Sequence, residues 1–193
     1  MRRMHNGRMS RGNDVAVSAP DEPVQWPHAA LTRDGAEYRI RPIRPDDAQR
    51  DRDFIEQLSE ASRFERLMSC VREPAQSLIN RFVGVNYHHE MAFVAVIGPP
   101  DAERIIGVAR YAALPNETDA EFAVAVSDPW QSRGVGTTLM HVLLKYAKSE
   151  GLQRVHGIIL AYNDKMIEFA RKLGMKVQRR ADDTTVVEAA RDL

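Results

Sequence analysis

Apolar residues recur at every second position in several short stretches of the chain, which is the spacing of strands with one buried face. Over residues 119–126, Phe122, Val124 and Val126 share one face and alternate with small or polar residues. Similar patterns predict further strands that begin near Glu37, Met91, Glu103 and Arg154, and a terminal hairpin over 175–190.

Between these strands, apolar residues recur every three or four positions, which predicts amphipathic helices. After Gly134, Leu139 and Leu143 lie on one stripe of such a helix. A second helix is predicted after Asn163, with Asn163 or Asp164 as its N-terminal cap. Short helices are also predicted between the first two strands.

The order of predicted elements is strand, helices, three strands, helix, strand, helix and two strands. A helix that follows the strand over 119–126 indicates a parallel crossover. We expect an α+β domain over 35–193 with a single mixed, mostly antiparallel sheet of about six or seven strands flanked by helices. Residues 1–34 are polar, proline-containing and aperiodic, and we expect them to form a mostly disordered tail.

Charge and composition exclude several classes of function. Lys and Arg number 27 and Asp and Glu number 27, a balance that argues against a general nucleic-acid-binding protein. No apolar run approaches the roughly 20 residues that span a bilayer, so no membrane partner is expected. Cys70 is the only cysteine, which fits the reducing cytoplasm. His88 and His89 are adjacent and lack a further paired ligand, so no metal is expected.

A glycine-rich segment, DPWQSRGVGTT over 128–138, joins a predicted strand to a predicted helix. The first turn of a helix has unpaired N–H groups and a partial positive charge, which suit a phosphate. The Rossmann fingerprint fails because its third glycine would fall at Leu139, and the Walker pattern is absent. A phosphate-binding loop is favoured, and a solvated helix start with incidental glycines is the alternative.

This segment and two later ones resemble the acetyl-CoA-binding half of the GNAT acyltransferases. The matching stretches are EFAVAVSDPWQSRGVGTTLM from Glu121, the strand RVHGIIL, and NDKMIEFARKLGMKV from Asn163. Upstream, LTRDGAEYRIRPIRPDDAQ, LSEASRFERLM and EMAFVAVI resemble the GNAT domain of bacterial protein lysine acetyltransferases. In many of these an acyl-CoA-synthetase-like region precedes the domain, and we expect this chain to lack it. The resemblance covers about residues 31–180 and implies the GNAT fold.

The resemblance also implies where acetyl-CoA, the expected co-substrate, would bind. Asn163 is expected to reach the cofactor arm, a role that can coexist with a plain helix cap. The backbone of the strand is expected to bind the pantetheine arm, and the loop to bind the pyrophosphate. The residues implied are Val124, Ala125 and Val126 in the strand, and Gln131, Ser132, Arg133, Gly134, Val135, Gly136 and Thr137 in the loop and helix start.

Glu121 is the catalytic residue that the resemblance implies, as the general base that deprotonates the amine. The alternative is a solvated carboxylate at the edge of a strand, since Glu117 and Asp119 show that carboxylates are common there. Many GNAT enzymes carry a Tyr seven residues after the Asn to protonate the leaving thiolate. That position is Ala170 here, and no residue is assigned to this role.

The expected function is transfer of an acetyl group from acetyl-CoA directly to a primary amine, either on a protein lysine or on a small molecule. The alternative is a non-catalytic acyl-CoA-binding regulatory module. Whether the chain forms a homodimer stays open at this point.

Overall fold

A computed structural model describes residues 28–67, 75–116 and 118–193. The strands are β1 (His28–Leu31), β2 (Glu37–Pro42), β3 (Glu90–Ile97), β4 (Arg104–Ala113), β5 (Asp119–Val126), β6 (Arg154–Leu160), β7 (Lys176–Arg179) and β8 (Val186–Asp192). The helices are α1 (Ala48–Gln57), α2 (Glu60–Leu67), α3 (Gln76–Val83), α4 (Val135–Ser149) and α5 (Asp164–Lys172).

All eight strands form one sheet in the order β1-β2-β3-β4-β5-β6-β8-β7. Every neighbouring pair is antiparallel except β5 and β6, which are parallel and joined by α4. The structure confirms the predicted mixed, mostly antiparallel sheet flanked by helices.

The sheet has one strand more than predicted, because β1 lies within residues 28–34 that the sequence analysis assigned to the disordered tail. β1 pairs with β2 along its whole length. Its side chains are mostly exposed, and Leu31 is 65% exposed. Backbone hydrogen bonds rather than apolar burial hold this strand, so the hydrophobic pattern did not reveal it. The ordered domain therefore includes residues 28–34, and the expectation for residues 1–27 lies outside the described residues.

The helices divide between the two faces of the sheet. Tyr146 of α4 packs against Phe93 of β3, with ring centroids 5.6 Å apart in an edge-to-face arrangement. α4 connects β5 to β6 and α5 connects β6 to β7, and both connections run in the same direction across the sheet. Because such crossovers are right-handed, both helices lie on this face. On the opposite face, the guanidinium of Arg110 in β4 lies 4.9 Å from the ring centre of Phe82 in α3. α1 packs against β4 and α3, and α2 packs against β5.

A buried ion cluster joins β2 to the turn before α1 and to the start of β4. Arg41 donates two hydrogen bonds of 2.7 Å to the carboxylate of Asp47, and its Nη2 also donates to Glu103 at 2.7 Å. Burial raises the pKa of Asp47, but hydrogen bonding and charge attraction from Arg41 outweigh it and leave the pKa below its usual value. The cluster anchors the start of α1 to β2, on the face of the sheet that also carries the Glu121 side chain.

Within the described residues, no helix is long and apolar enough to cross a membrane. Cys70 lies outside the described residues.

Candidate active site

The site centres on a fork between β5 and β6. The two strands pair at only three positions, where Asp119–Glu121 face Arg154–His156. Beyond this point β5 continues to Val126 and β6 to Leu160, but the two strands no longer pair with each other. The last part of β5 therefore has a free edge, which can accept an extended ligand as a strand would.

Alternation along β5 decides which backbone groups face the fork. The Ser127 N–H donates to the Ile106 carbonyl on the β4 side at 2.9 Å, so Ala125 also directs its backbone groups to β4. Val124 and Val126 then direct theirs into the fork. Among the three residues expected to bind the pantetheine arm, Val124 directs both backbone groups into the fork and Val126 its N–H, while the Val126 carbonyl accepts from Gln131. Ala125 pairs with β4.

The aromatic ring of Phe122 in β5 packs against Gly157 in β6, directly after the last paired residues of the two strands. Its Cε1 lies 2.7 Å from the point that a Cβ on Gly157 would occupy. Only glycine at 157 leaves room for the ring at the position that follows the last paired residues. This contact marks the level at which the strands separate.

The loop after β5 leads into α4, whose N-terminus has no side-chain cap. Gly134 caps the helix in the left-handed region, with φ of 98°, and no side chain caps it. Thr138 makes the first recorded helical hydrogen bond, donating its N–H to the Gly134 carbonyl at 3.1 Å. The N–H groups of Val135, Gly136 and Thr137 precede it and are the groups that a helix start offers to an anion. These backbone donors are compatible with the expected phosphate site, which stays a prediction.

Gly136 lies in the first turn of α4, beside β5 and α5. A Cβ at this position would make ordinary contacts, 3.4 Å from Val126 Cγ2 and 3.5 Å from Phe169 Cζ. A methyl group therefore fits here, whereas a larger side chain would have to displace these neighbours, and the expected contact of Gly136 with phosphate stays a prediction. Ser132, with φ of 59°, supplies a second left-handed turn in the loop.

The Gln131 side chain is used inside the protein. Its Nε2 donates to the Val126 carbonyl at 3.0 Å and to Ser62 Oγ at 3.2 Å. This amide ties the loop to the end of β5 and to α2, so Gln131 is placed to position the loop.

Arg133 is likewise committed. Its Nε and Nη2 donate to the two oxygens of Asp34 at 3.0 and 2.5 Å, and its guanidinium lies 4.5 Å from the Trp130 ring centre. The hydrogen bonds from Arg133 lower the pKa of Asp34 to about 2. The positive charge that was expected to face the phosphates is balanced by this carboxylate.

Asn163 caps α5, because its side-chain oxygen accepts a hydrogen bond of 3.0 Å from the Met166 N–H. The cap uses only the carbonyl oxygen, so the amide NH₂ is left for a second partner. Ala170, on the same helix, is fully buried.

Glu121 lies at the last paired position of the fork, on the face that carries α1, α2 and α3. Its side chain is exposed and makes no recorded hydrogen bond or ion pair with any part of the chain that the structure describes. His156 is its partner in the parallel register, so both side chains project from the same face. The Nδ1 atom of His156 is buried and has no hydrogen-bond partner among the described residues. Sequence reasoning missed His156, since a single histidine in an apolar strand carries no motif.

A second feature that the sequence did not reveal fastens α2 to the loop after β5. The Asp128 carboxylate accepts hydrogen bonds from the Ser59 N–H at 3.0 Å, from Ser59 Oγ at 2.8 Å and from Ser62 Oγ at 2.9 Å. Burial raises the pKa of Asp128, but these hydrogen bonds outweigh it and lower the pKa. Arg63 of α2 is buried and donates to the carbonyls of Glu56 and Leu58.

No group of three or more His, Cys, Asp or Glu side chains within the described ranges is placed to hold a metal ion.

Comparisons with known proteins agree with this fold. The sequence profile of the acetyltransferase (GNAT) family matches residues 52–175. An acetyltransferase of Pseudomonas aeruginosa is 34% identical over 180 residues, covering 93% of this chain and 97% of that protein. Acetyltransferase Pat of Mycolicibacterium smegmatis is 30% identical over 171 residues, which are 86% of this chain and 47% of Pat.

Among solved structures, the GNAT domain of S. lividans PAT superposes with a TM-score of 0.82 at 29% identity, covering 90% of this chain and all of that domain. A cAMP-binding acyltransferase from Mycobacterium smegmatis has a TM-score of 0.60 at 27% identity, and this chain spans 47% of its length.

Proposed function

Because this chain belongs to the acetyltransferase (GNAT) family, we propose that it moves an acetyl group from acetyl-CoA to a primary amine with Glu121 as the general base. The observation that carries the proposal is the fork between β5 and β6, with the Glu121 carboxylate at its last paired position and without a partner among the described residues. The part of β5 that is unpaired with β6 begins directly after this carboxylate.

The groups present fit acetyl-CoA. The backbone N–H and carbonyl of Val124 and the N–H of Val126 suit the amides of a pantetheine arm, and the first-turn N–H groups of α4 suit a pyrophosphate. The amide NH₂ of Asn163 is a further donor at the start of α5. When bound, acetyl-CoA supplies the thioester that the amine attacks.

Deprotonation of the amine is the step for which the chain must supply a base. A lysine amine has a pKa of about 10.4, so only about one in a few thousand is neutral at pH 7. A carboxylate without other partners, as Glu121 is among the described residues, can take the proton directly or through water. The neutral amine then forms the new C–N bond, and the C–S bond breaks to release CoA thiolate. The nitrogen loses its second proton in the same step, and solvent water transfers that proton to the thiolate, so that the products are the amide and CoA.

Departure of the thiolate does not require a dedicated acid. A thiol has a pKa of about 8.5, so its thiolate is a tolerable leaving group near neutral pH. This agrees with Ala170 in place of the tyrosine that many GNAT enzymes carry.

A protein lysine is the favoured acceptor. The support is the similarity of nearly the whole described chain to the GNAT domain of S. lividans PAT, at 29% identity with a TM-score of 0.82. A small amine is the competing acceptor.

The test compares Glu121→Gln with wild type in a thiol-release assay that uses acetyl-CoA with lysine peptides and small amines. We expect about 10²-fold or greater loss of kcat at pH 7, with a smaller loss at high pH where the amine is already neutral. Acetyl-CoA binding, measured by calorimetry, should be unchanged.

Asp119→Asn is the matched control, two residues earlier on the same face of β5. Full activity of Glu121→Gln at pH 7 would refute the assignment, and the activities of Asp119→Asn and His156→Gln would then locate the base. Acetyl-CoA binding without turnover of any amine in wild type would favour a non-catalytic acyl-CoA-binding module.

A further inference from the structure

The turn between β1 and β2 lies against the loop that precedes α4. The Arg33 N–H donates to the Arg133 carbonyl at 3.0 Å, and Asp34 forms the paired hydrogen bonds to the Arg133 guanidinium. The turn therefore contacts the segment that is expected to hold the CoA phosphates. It lies outside residues 52–175, the span matched by the family profile.

The turn is itself held in a defined shape. Thr32 is buried, its Oγ1 accepts from the Ala36 N–H at 2.8 Å, and its carbonyl accepts from the Gly35 N–H at 3.0 Å. Arg33 and Asp34 therefore contact the loop from a turn whose backbone is held by hydrogen bonds.

The two arginines of this contact have opposite surroundings. Arg133 is balanced by Asp34 and lies over Trp130. Arg33 is exposed and makes no recorded side-chain hydrogen bond or ion pair within the described part of the chain. Its Cγ lies 3.7 Å from the point that a Cβ on Gly134 would occupy, so its side chain passes over the start of α4. Near the start of α4, Arg33 is therefore an arginine without an anionic partner among the described residues, whereas Arg133 is paired with Asp34.

We propose that Arg33 binds a phosphate of CoA and that Arg133 acts as a positioning residue that fastens the β1–β2 turn to the loop. This inference rests on the proposed function, because it takes acetyl-CoA as the ligand of this groove. A guanidinium at the end of a flexible side chain can donate two parallel hydrogen bonds to a phosphate. Both the pyrophosphate and the 3′-phosphate of CoA offer this chemistry.

The experiment measures the binding of CoA and of 3′-dephospho-CoA to Arg33→Gln by calorimetry. We expect CoA to bind about tenfold more weakly than to wild type. A loss for CoA alone places the contact at the 3′-phosphate, whereas an equal loss for both ligands places it at the pyrophosphate. Arg33→Lys keeps the charge and should retain part of the affinity.

Arg179→Gln is the matched control, since Arg179 is an exposed arginine on β7 at the opposite edge of the sheet. If Arg33→Gln binds both ligands as tightly as Arg179→Gln does, the inference is wrong and the proposed function is untouched. If wild type binds neither ligand, the proposed function fails and the inference fails with it. Melting temperatures without ligand show whether each variant is folded.

Discussion

Two glycines two positions apart at the start of α4 meet different demands. Gly134 has φ of 98°, a left-handed conformation that side chains with a Cβ adopt at a cost. Gly136 lies within the helix and is held between Val126 and Phe169. The first glycine shapes the loop, whereas a methyl group at the second would meet only ordinary contacts.

We therefore expect Gly134→Ala to lower the free energy of unfolding by about 1–2 kcal/mol because of its left-handed backbone. Gly136→Ala is the matched control, since its Cβ would make ordinary contacts at 3.4 and 3.5 Å. Its loss should be smaller, below about 1 kcal/mol. Urea unfolding of both variants measures the difference, and an equal or larger loss for Gly136→Ala would contradict this account.

At the scale of elements, the site depends on the separation of β5 from β6 and on two contacts that hold the loop after β5. α2 is joined to the loop after β5 through Asp128, and the turn after β1 is joined to the same loop through Asp34. The fork itself begins where Phe122 lies over Gly157. Packing at this contact therefore sets the level at which β5 becomes free.

Gly157→Ala tests the contact at the fork. A Cβ at residue 157 would lie 2.7–3.1 Å from three atoms of the Phe122 ring, so we expect a loss of about 1–3 kcal/mol in unfolding free energy. In a Phe122→Leu background the smaller side chain should relieve the clash, and the cost of Gly157→Ala should fall. Additive costs in the double variant would show that the ring is not the cause.

Local patterns revealed the elements but not the partners of the loop side chains. Alternation predicted β5, and the helical spacing with Asn163 as cap predicted α5, because these signals lie within one element. The partner of Arg133 is 99 residues away in sequence, so no local pattern could show that Asp34 neutralises it. Gln131 likewise donates to Ser62 in another element. The roles of these two loop residues depend on tertiary contacts.

At the scale of the whole molecule, the Arg41 cluster links distant parts of the chain through buried charge. Asp47 is fully buried, and its carboxylate is held ionised by Arg41. Its pKa in the folded protein lies below the usual value of 3.8. The ionised form therefore stabilises the fold above that pH, and this contribution is lost as the pH falls through the lower folded-state pKa.

Asp47→Asn should lower the unfolding free energy at pH 7 by about 3 kcal/mol, because it leaves a buried guanidinium with one partner fewer. The difference in unfolding free energy between Asp47→Asn and wild type should become smaller below pH 4. Asp46→Asn is the control, since the Asp46 side chain is 72% exposed and its loss should have little effect. Urea unfolding at pH 7, 5 and 3 measures both, and a constant gap across that range would contradict the linkage.

The β1–β2 hairpin also determines what a shortened form of the domain would expose. Residues 52–175, the span of the family likeness, contain neither β1 and β2 nor β7 and β8. A fragment cut to that span would leave β3, which is buried along almost its whole length, as an open edge strand. Such an apolar edge invites pairing between copies and aggregation. The smallest soluble unit of this protein is therefore larger than the segment by which its family is recognised.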